Sequence, residues 1–137
     1  MKPYIRKVQY YETDMMGIAH HAHYLHWMEE ARIDFMDQMG YPYARMEAEG
    51  FLSPVRALSC QYKKPCTFGD TLCITVAAEA FNGVVLTLGY DIARADTGET
   101  LCTARSEHVF TTREGRLIRV RRDLPDFCAA IEALMHP

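Results

Sequence analysis

The chain has 137 residues, of which 49% are hydrophobic and 24% charged, as is typical of one globular domain with a substantial core. Its formal net charge is −3, which argues against DNA or RNA as a partner because neutralising phosphates requires a basic surface. We therefore expect residues 1–137 to form a single domain that does not bind nucleic acid.

The N-terminus and the cysteines indicate where the protein works. The segment from Met1 to Lys7 lacks the apolar stretch of a secretion signal, and no apolar run approaches the ~20 residues of a membrane helix. The cysteines are odd in number and form no CxxC pair, which favours free thiols in a reducing compartment. We expect a cytoplasmic protein without a membrane span.

The first part of the chain predicts a strand, a loop and a long helix. Residues 3–12 predict a first strand, whereas residues 13–20 follow no clean period and predict a loop. Over residues 21–39 apolar side chains recur every three or four positions, which predicts an amphipathic helix that ends at Gly40. These apolar side chains are Tyr24, Met28, Ala31, Phe35 and Met39. A short helical segment is expected at residues 43–49.

The rest of the chain predicts mostly strands. Apolar and polar residues alternate between Ser53 and Val120, and the Asn82-Gly83 pair is a strong signal for a hairpin turn. Pro125 predicts the start of a C-terminal helix. This order predicts an α+β fold, with one curved antiparallel sheet of five or six strands wrapped around the long helix. Such a sheet leaves an open edge, at which we expect subunits to pair.

The loop before the long helix carries the strongest chemical signal. Asp14 lies in this loop, and the helix begins near His21 with unpaired backbone N–H groups and the positive end of its dipole. A carbonyl bound there would have its developing oxyanion stabilised, while the Asp14 carboxylate could attack it or activate a water. Gly17 would let the backbone approach a ligand. An aspartate in such a loop is more often a turn or cap residue, so the pattern alone leaves both interpretations open.

A longer motif resembles a known family. It reads Thr13-Asp14-x-x-Gly17-Ile18-x-x-His21-Ala22-x-Tyr24, then Trp27-x-Glu29-x-Ala31-Arg32, and later Tyr62-x-x-Pro65-x-x-Phe68-Gly69-Asp70-x-Leu72. The motif resembles the signature of the 4-hydroxybenzoyl-CoA thioesterase-like branch of the hot-dog superfamily. It is similar to that of the bacterial acyl-CoA thioesterases associated with the Tol-Pal system. The resemblance spans roughly residues 4–122 and agrees with the predicted strand, loop and helix.

The resemblance implies a hot-dog enzyme that hydrolyses an acyl-CoA thioester to a free acid and coenzyme A. It implies that Asp14 is the catalytic carboxylate, as nucleophile or general base, and that the backbone at His21 polarises the carbonyl with help from the imidazole. Some members use a tyrosine just upstream, for which Tyr11 and Tyr10 are the candidates. His23 stands where the family often has asparagine. The resemblance also implies a homodimer or homotetramer with sites between subunits, and neither a metal nor another cofactor.

Other residues are expected to bind the substrate. Coenzyme A carries several phosphates, so basic residues are expected along its path. The expected substrate-binding residues are Gly17, Ile18, Tyr24, Lys63 and Lys64. Residues 113–122 contain five arginines, which fit either a solvated strand and loop or a phosphate-binding patch.

Further interpretations stay open at this stage. His20, His23 and His26 would share a helix face and could bind a metal with the loop carboxylate, although their spacing matches no familiar zinc motif. Glu29 or Glu30 could be the catalytic acid, since other hot-dog thioesterases use an acid on the central helix. The chain could also be a hot-dog hydratase, or a non-catalytic module that binds acyl-CoA or an acyl carrier protein.

Overall fold

The computed structural model describes residues 1–136. Its helices are α1 (Ala22–Met39), α2 (Tyr43–Ala48), α3 (Val120–Asp123) and α4 (Pro125–Met135). Its strands are β1 (Tyr4–Lys7), β2 (Phe51–Leu52), β3 (Val55–Tyr62), β4 (Thr71–Phe81), β5 (Leu86–Arg94), β6 (Thr100–His108) and β7 (Thr111–Thr112). The order of a strand, one long helix and then a run of strands confirms the predicted α+β class.

Five strands form the main sheet, in the order β1-β4-β5-β6-β3, and β2 pairs with β7 in a separate two-stranded sheet. β1 runs antiparallel to β4, with Tyr4 opposite Ile74 and Lys7 opposite Thr71. β4, β5 and β6 are neighbours both in the chain and in the sheet, as expected for strands joined by hairpin turns. The predicted sheet of five or six strands is therefore confirmed with five, and β1 and β3 are its two edges.

The longest helix, α1, is amphipathic. Trp27 and Met28 are buried in its middle, whereas Leu25 and Glu29 on other faces are exposed. A helix with one apolar stripe gains most of its stability by burying that stripe in the fold. None of the helices within residues 1–136 has both the length and the hydropathy needed to cross a membrane.

The residues divide into two compact units. Unit 1 contains Met1–Phe35, Cys60–Val76 and Tyr90–Ala104. Its core is built from alternate residues of the strands and from the middle of α1, because successive side chains of a strand point to opposite faces. The largest fully buried side chains of this core are Trp27, Met28, Leu72, Ile74, Ile92 and Leu101.

Unit 2 contains Met36–Ser59, Ala77–Gly89 and the residues from Arg105 onward. Its core contains an aromatic cluster in which the Phe127 ring lies 5.3 Å from Tyr41 and 5.2 Å from Phe110. Phe127 belongs to α4, which begins at Pro125 as predicted, because proline lacks the N–H that the first helical turn cannot use. The predicted short helix near residues 43–49 is also confirmed, as α2.

The first strand is shorter than predicted. β1 ends at Lys7 rather than at residue 12, because Tyr10–Glu12 form a 3₁₀ turn. In this turn the Glu12 carboxylate accepts a hydrogen bond from the backbone N–H of Gln9 at 2.8 Å. This is the pattern of a helix cap, which ends an extended strand.

The prediction of continuous strand up to Val120 is also wrong at its end. Within the described residues, the segment after Gly115 makes one isolated bridge, between Leu117 and Thr111, instead of a strand. Val120 then begins α3, where Leu124 donates its N–H to the Val120 carbonyl at 2.8 Å. The alternation of residues there reflects Ile118, buried in the coil, and Val120, buried at the start of α3, rather than a sheet ladder.

Candidate active site

The loop that carries Asp14 is a small closed hairpin within unit 1. Its two sides meet in a bridge between Thr13 and Ala19, and the Asp14 N–H donates to the Ile18 carbonyl at 2.9 Å. Gly17 turns the chain with φ of 79°, a conformation that a residue with a side chain rarely adopts. The Asp14 carboxylate accepts the N–H of Met16 at 2.8 Å through one oxygen, and the side chain is exposed. The loop therefore presents a fixed and accessible carboxylate.

The N-terminus of α1 follows directly after this loop. His20 caps the helix, since its Nδ1 accepts the N–H of Ala22 at 3.2 Å and its carbonyl accepts the N–H of His23 at 3.1 Å. The His20 and His21 rings stack with their centroids 4.2 Å apart. Within residues 1–136 the N–H of His21 makes no hydrogen bond. The first turn thus offers a backbone donor at the positive end of the helix dipole.

The end of β3 and the segment that follows it supply another wall. The Tyr62 hydroxyl donates to the His21 carbonyl at 3.2 Å, and its ring lies 5.0 Å from that of Tyr24. The Tyr24 hydroxyl is hydrogen-bonded to the Cys66 sulfur at 3.4 Å. The backbone of the same segment holds the Asp14 loop, because the Cys66 carbonyl accepts the N–H of Ala19 at 2.8 Å. The wall, the loop and the helix start are therefore linked by direct bonds.

These three segments of unit 1 border an open cavity of about 300 Å³. Its lining residues are Asp14, Ile18, Ala19, His21, Tyr24, Tyr62, Lys63, Lys64 and Pro65. The cavity thus brings together six of the eight residues that the sequence indicated. The other two, Tyr11 and Gly17, lie outside the lining. The Tyr11 side chain is 71% exposed, with its ring 6.4 Å from that of His23.

The ionisable side chains that line the cavity are Asp14, His21, Tyr24, Tyr62, Lys63 and Lys64. Burial raises the pKa of Tyr24, reinforced by Cys66, and burial raises the pKa of Tyr62 to about 12, reinforced by Cys60. Both phenols therefore stay neutral near pH 7. Asp14 is then the one acidic side chain among the lining residues, which also include two lysines. Lys64 is paired with Glu99 at 2.7 Å.

Tyr10 and the two helix glutamates are placed differently. Tyr10 is exposed, with its ring edge-on to Phe68 at 5.6 Å, and does not line the cavity. Glu29 is exposed on α1. Glu30 accepts hydrogen bonds from the Tyr4 hydroxyl at 2.9 Å and from the Arg6 side chain at 3.1 Å. Neither glutamate lines the cavity.

The histidines of this region form a chain of ring contacts. The His23 ring lies 6.3 Å from that of His20 and 5.5 Å from that of His26. In the part of the chain that the structure describes, no group of three histidine, cysteine or acidic side chains is arranged to hold a metal ion. We therefore assign no ligand set to these rings.

The arginine-rich segment belongs to unit 2, where several of its side chains have protein partners. Arg121 pairs with Glu132 at 2.6 Å, and Arg122 pairs with Asp123 at 3.0 Å. Arg113 donates to the Glu47 carbonyl at 2.7 Å. Each of these three arginines therefore has a protein partner, as is usual for a solvated surface segment.

Three lining residues were not predicted as site residues, namely Ala19, Tyr62 and Pro65, and of these Tyr62 has a side-chain bond to the start of α1. It stands in the motif, three residues before Pro65, but lies on a strand with mostly exposed side chains. The bond to His21 crosses 41 positions of sequence. The exposed aromatic at the end of an edge strand was the signal available.

Comparison with known proteins identifies the family. Residues 8–132 match the thioesterase-like superfamily. YneP of Bacillus subtilis (strain 168), provisionally named an acyl-CoA thioesterase, is 39% identical over 127 residues, which are 92% of this chain and 91% of YneP. The acyl-CoA thioester hydrolase YbgC of Escherichia coli O157:H7 is 27% identical over 90 residues, 66% of this chain and 67% of YbgC.

Solved structures agree. A DHNA-CoA thioesterase from Staphylococcus aureus superimposes with a TM-score of 0.93 at 29% identity, covering 98% of this chain and 90% of that one. The hypothetical protein TT1821 from Thermus thermophilus superimposes with a TM-score of 0.90 at 30% identity. The resemblance inferred from the Asp14 motif is thereby confirmed. The chain belongs to the thioesterase-like superfamily and has the hot-dog fold of its thioesterases.

Proposed function

We propose that the protein hydrolyses an acyl-CoA thioester to a free acid and coenzyme A, with Asp14 as the catalytic carboxylate. The observation that carries this proposal is the cavity that combines an accessible carboxylate with the start of α1. The similarity to YneP and YbgC, which are named as acyl-CoA thioester hydrolases, supports the substrate class. No metal or other cofactor takes part in the proposed reaction.

Two routes lead to the same products. In the first, Asp14 takes a proton from water, the resulting hydroxide attacks the carbonyl carbon, and the tetrahedral intermediate expels the thiolate of coenzyme A, which takes up the proton. In the second, an Asp14 oxygen attacks the carbonyl carbon and expels the thiolate; water then cleaves the mixed anhydride, which restores the Asp14 carboxylate, releases the free acid and supplies the proton that the thiolate takes up. Both routes develop negative charge on the carbonyl oxygen.

The N-terminus of α1 suits that developing charge. The His21 N–H is available, and the helix dipole places positive charge at the same point. The next peptide, between His21 and Ala22, is held by Tyr62 through its carbonyl and by His20 through its N–H, and these bonds restrict the position of His21. A donor held in advance stabilises an oxyanion without reorganising during the reaction. The His21 imidazole, also at the cavity, can add a hydrogen bond.

Lys63 and Lys64 suit the coenzyme A end of the substrate. Both line the cavity, and both are exposed. An ammonium group on a flexible stem attracts phosphate as a point charge. We propose that this pair directs the diphosphate part of the substrate while the acyl group enters beside Ile18 and Tyr24.

We also propose that the protein works in the cytoplasm as one domain and as a homodimer or homotetramer. β3 is an edge of the main sheet, and it exposes Val55, Leu58 and Tyr62 by 47%, 46% and 48%. An open edge with apolar side chains is a template for pairing with a second copy. All five cysteines are free, as suits a reducing compartment. Light scattering of wild type and Leu58→Lys tests the assembly, since a monomeric wild type would contradict it.

The reaction is tested by measuring thiol release from short, long and aromatic acyl-CoAs with wild type, Asp14→Asn and a control. Asp96→Asn is the matched control, because Asp96 is also an exposed aspartate in a turn. We expect Asp14→Asn to lower kcat by about 10²-fold or more, as for loss of a general base or nucleophile, and Asp96→Asn to leave it unchanged.

Three outcomes would contradict parts of this proposal. Turnover that survives in Asp14→Asn would move the catalytic role to another residue, with the exposed Glu29 of α1 tested next. A lack of turnover on every substrate, with acyl-CoA still bound in calorimetry, would indicate a binding module. If turnover occurred only with acyl carrier protein thioesters added to the panel, the carrier of the acyl group would be that protein and not coenzyme A.

A further inference from the structure

Glu12 is a buried carboxylate outside the cavity, two residues before Asp14. Only 2% of it is exposed, yet its two oxygens accept four hydrogen bonds. The donors are the Gln9 N–H at 2.8 Å, the two terminal nitrogens of Arg6 at 2.6 and 2.9 Å, and the Trp27 indole N–H at 2.9 Å. Burial alone would raise the pKa of Glu12, but these donors hold it below its ordinary value. Glu12 is therefore a fully bonded anion.

The bonds of Glu12 connect the Asp14 loop to α1 and β1. Its backbone carbonyl accepts the His20 N–H at 2.9 Å, so Glu12 and His20 close the base of the loop. Its side chain reaches Trp27, in the second turn of α1, and Arg6, in β1. One residue thus joins the base of the loop, the helix and the strand.

The bonds of Glu12 also influence how Asp14 is placed relative to the start of α1. Asp14 lies two residues after Glu12, and His21 follows His20, so both flank the closed base. Trp27 is fully buried, and its ring lies 4.7 Å from that of Tyr24, which lines the cavity. A rotation of the loop base would therefore move the carboxylate relative to the helix start.

We propose that Glu12 is a positioning residue for the reaction: its carboxylate fixes the Asp14 loop against α1 through Trp27 and Arg6. This inference rests on the proposed function of Asp14. Glu12 itself touches neither the cavity nor the substrate. Its effect is expected on the chemical step, because a displacement of about 1 Å in a reacting group can cost about 10²-fold in rate.

Glu12→Gln tests the inference with little change of volume. The amide cannot accept both Arg6 bonds and the Trp27 bond, because one of its two terminal atoms becomes a donor. We expect kcat to fall by about 10- to 100-fold, while the dissociation constant of an acyl-CoA thioether, which cannot be hydrolysed, changes by less than about 3-fold. Assays at 15 °C, with circular dichroism of each variant, ensure that folded protein is compared.

Two further variants keep the test decisive if Glu12→Gln folds poorly. Trp27→Phe retains an aromatic ring but removes one donor to Glu12, so it should lower kcat in the same direction by about 3- to 10-fold. Glu30→Gln is the matched control, because it removes the other carboxylate partner of Arg6 and leaves the bonds of Glu12 in place. We expect its kcat to stay within about 2-fold of wild type.

The double variant Asp14→Asn/Glu12→Gln separates positioning from general damage. If Glu12 acts through Asp14, the second change should not lower the residual rate of Asp14→Asn further. Equal fold losses in both backgrounds, or a loss confined to the thioether affinity, would overturn the inference. An unchanged kcat in Glu12→Gln would also overturn it while the role of Asp14 stands, whereas an active Asp14→Asn would reject the proposed function itself.

Discussion

Two charged clusters in this protein use the same chemistry in opposite surroundings. Arg6 and Glu12 pair at 2.6 Å with side chains that are 13% and 2% exposed. Arg121 and Glu132 pair at the same distance, but their side chains are 72% and 39% exposed. The distance is therefore uninformative, and the surroundings decide what each pair does.

The difference teaches where a charge can hold a structure in place. A buried carboxylate cannot exchange its partners for water, so losing one donor leaves an uncompensated charge. An exposed pair loses little when it separates, because water and salt replace the partner. We therefore expect the cluster around Glu12 to constrain the Asp14 loop, and the arginine segment to constrain little.

The largest expected effect comes from breaking the buried pair. Arg6→Met removes the guanidinium but keeps much of its apolar stem, and leaves Glu12 buried without its cation. We expect the free energy of unfolding to fall by about 3 kcal/mol, as is typical when one partner of a buried pair is removed. Urea unfolding followed by circular dichroism measures it. A loss as small as that of an exposed pair would show that the surroundings do not matter.

The next effect is on the pH dependence of the free energy of unfolding. The pKa of Glu12 is lower in the folded protein than its ordinary value of 4.5, so its contribution to stability is complete above 4.5 and is lost as the pH falls through the folded value. We expect Glu12→Gln to be less stable than wild type at pH 7 but to lose less stability between about pH 5 and pH 2. Urea midpoints across this range measure the slope. If the urea midpoints of wild type and Glu12→Gln fell equally with pH, the lowered pKa of Glu12 would be contradicted.

A smaller effect is expected from the half-exposed member of the same cluster. Glu30, whose side chain is 35% exposed, also pairs with Arg6, at 3.1 Å. Glu30→Gln should cost about 0.5–1 kcal/mol of unfolding free energy, because water compensates part of the lost pairing. This value should lie between those of the buried and exposed pairs. A cost equal to that of Arg6→Met would mean that Arg6, rather than burial, sets the energy.

The smallest effect is expected at the surface. Arg122 pairs with Asp123 at 3.0 Å and is 71% exposed. Arg122→Gln should leave the urea midpoint unchanged within error at 0.5 M NaCl, because salt screens exposed pairs. A measurable loss at that salt concentration would show that the arginine segment has a structural role.

Much of the fold follows from periodicity, and its exceptions have local causes. The apolar repeat of α1, the Asn82-Gly83 turn and Pro125 at the start of α4 are short-range signals, and each is confirmed. The predicted β1 extends too far along the chain. The Glu12 carboxylate accepts the backbone N–H of Gln9, and this bond favours a 3₁₀ turn over a continued strand. Such a competition between side chain and backbone cannot be read from alternation.

The residues around the site also fall into two groups: those that are neighbours in the sequence and those that only the fold brings together. Asp14 and His21 stand in one short motif, so the chain itself brings them near each other. Tyr62 reaches His21 across 41 positions, and Trp27 reaches Glu12 across 15. A single sequence does not tell a buried glutamate from an exposed one, since glutamate is rarely fully buried. Glu12 was therefore missed, although it stands beside the predicted loop.

Trp27 is the single tryptophan of the chain, and its indole N–H is bonded to the carboxylate of Glu12. Intrinsic fluorescence excited at long ultraviolet wavelengths therefore comes from one buried ring of α1, which is bonded to Glu12 at the base of the Asp14 loop. Loss of this bond, or entry of water beside the ring, would shift its emission to the red. The protein thus carries its own optical reporter, with which stopped-flow mixing could follow the loop during substrate binding without an added label.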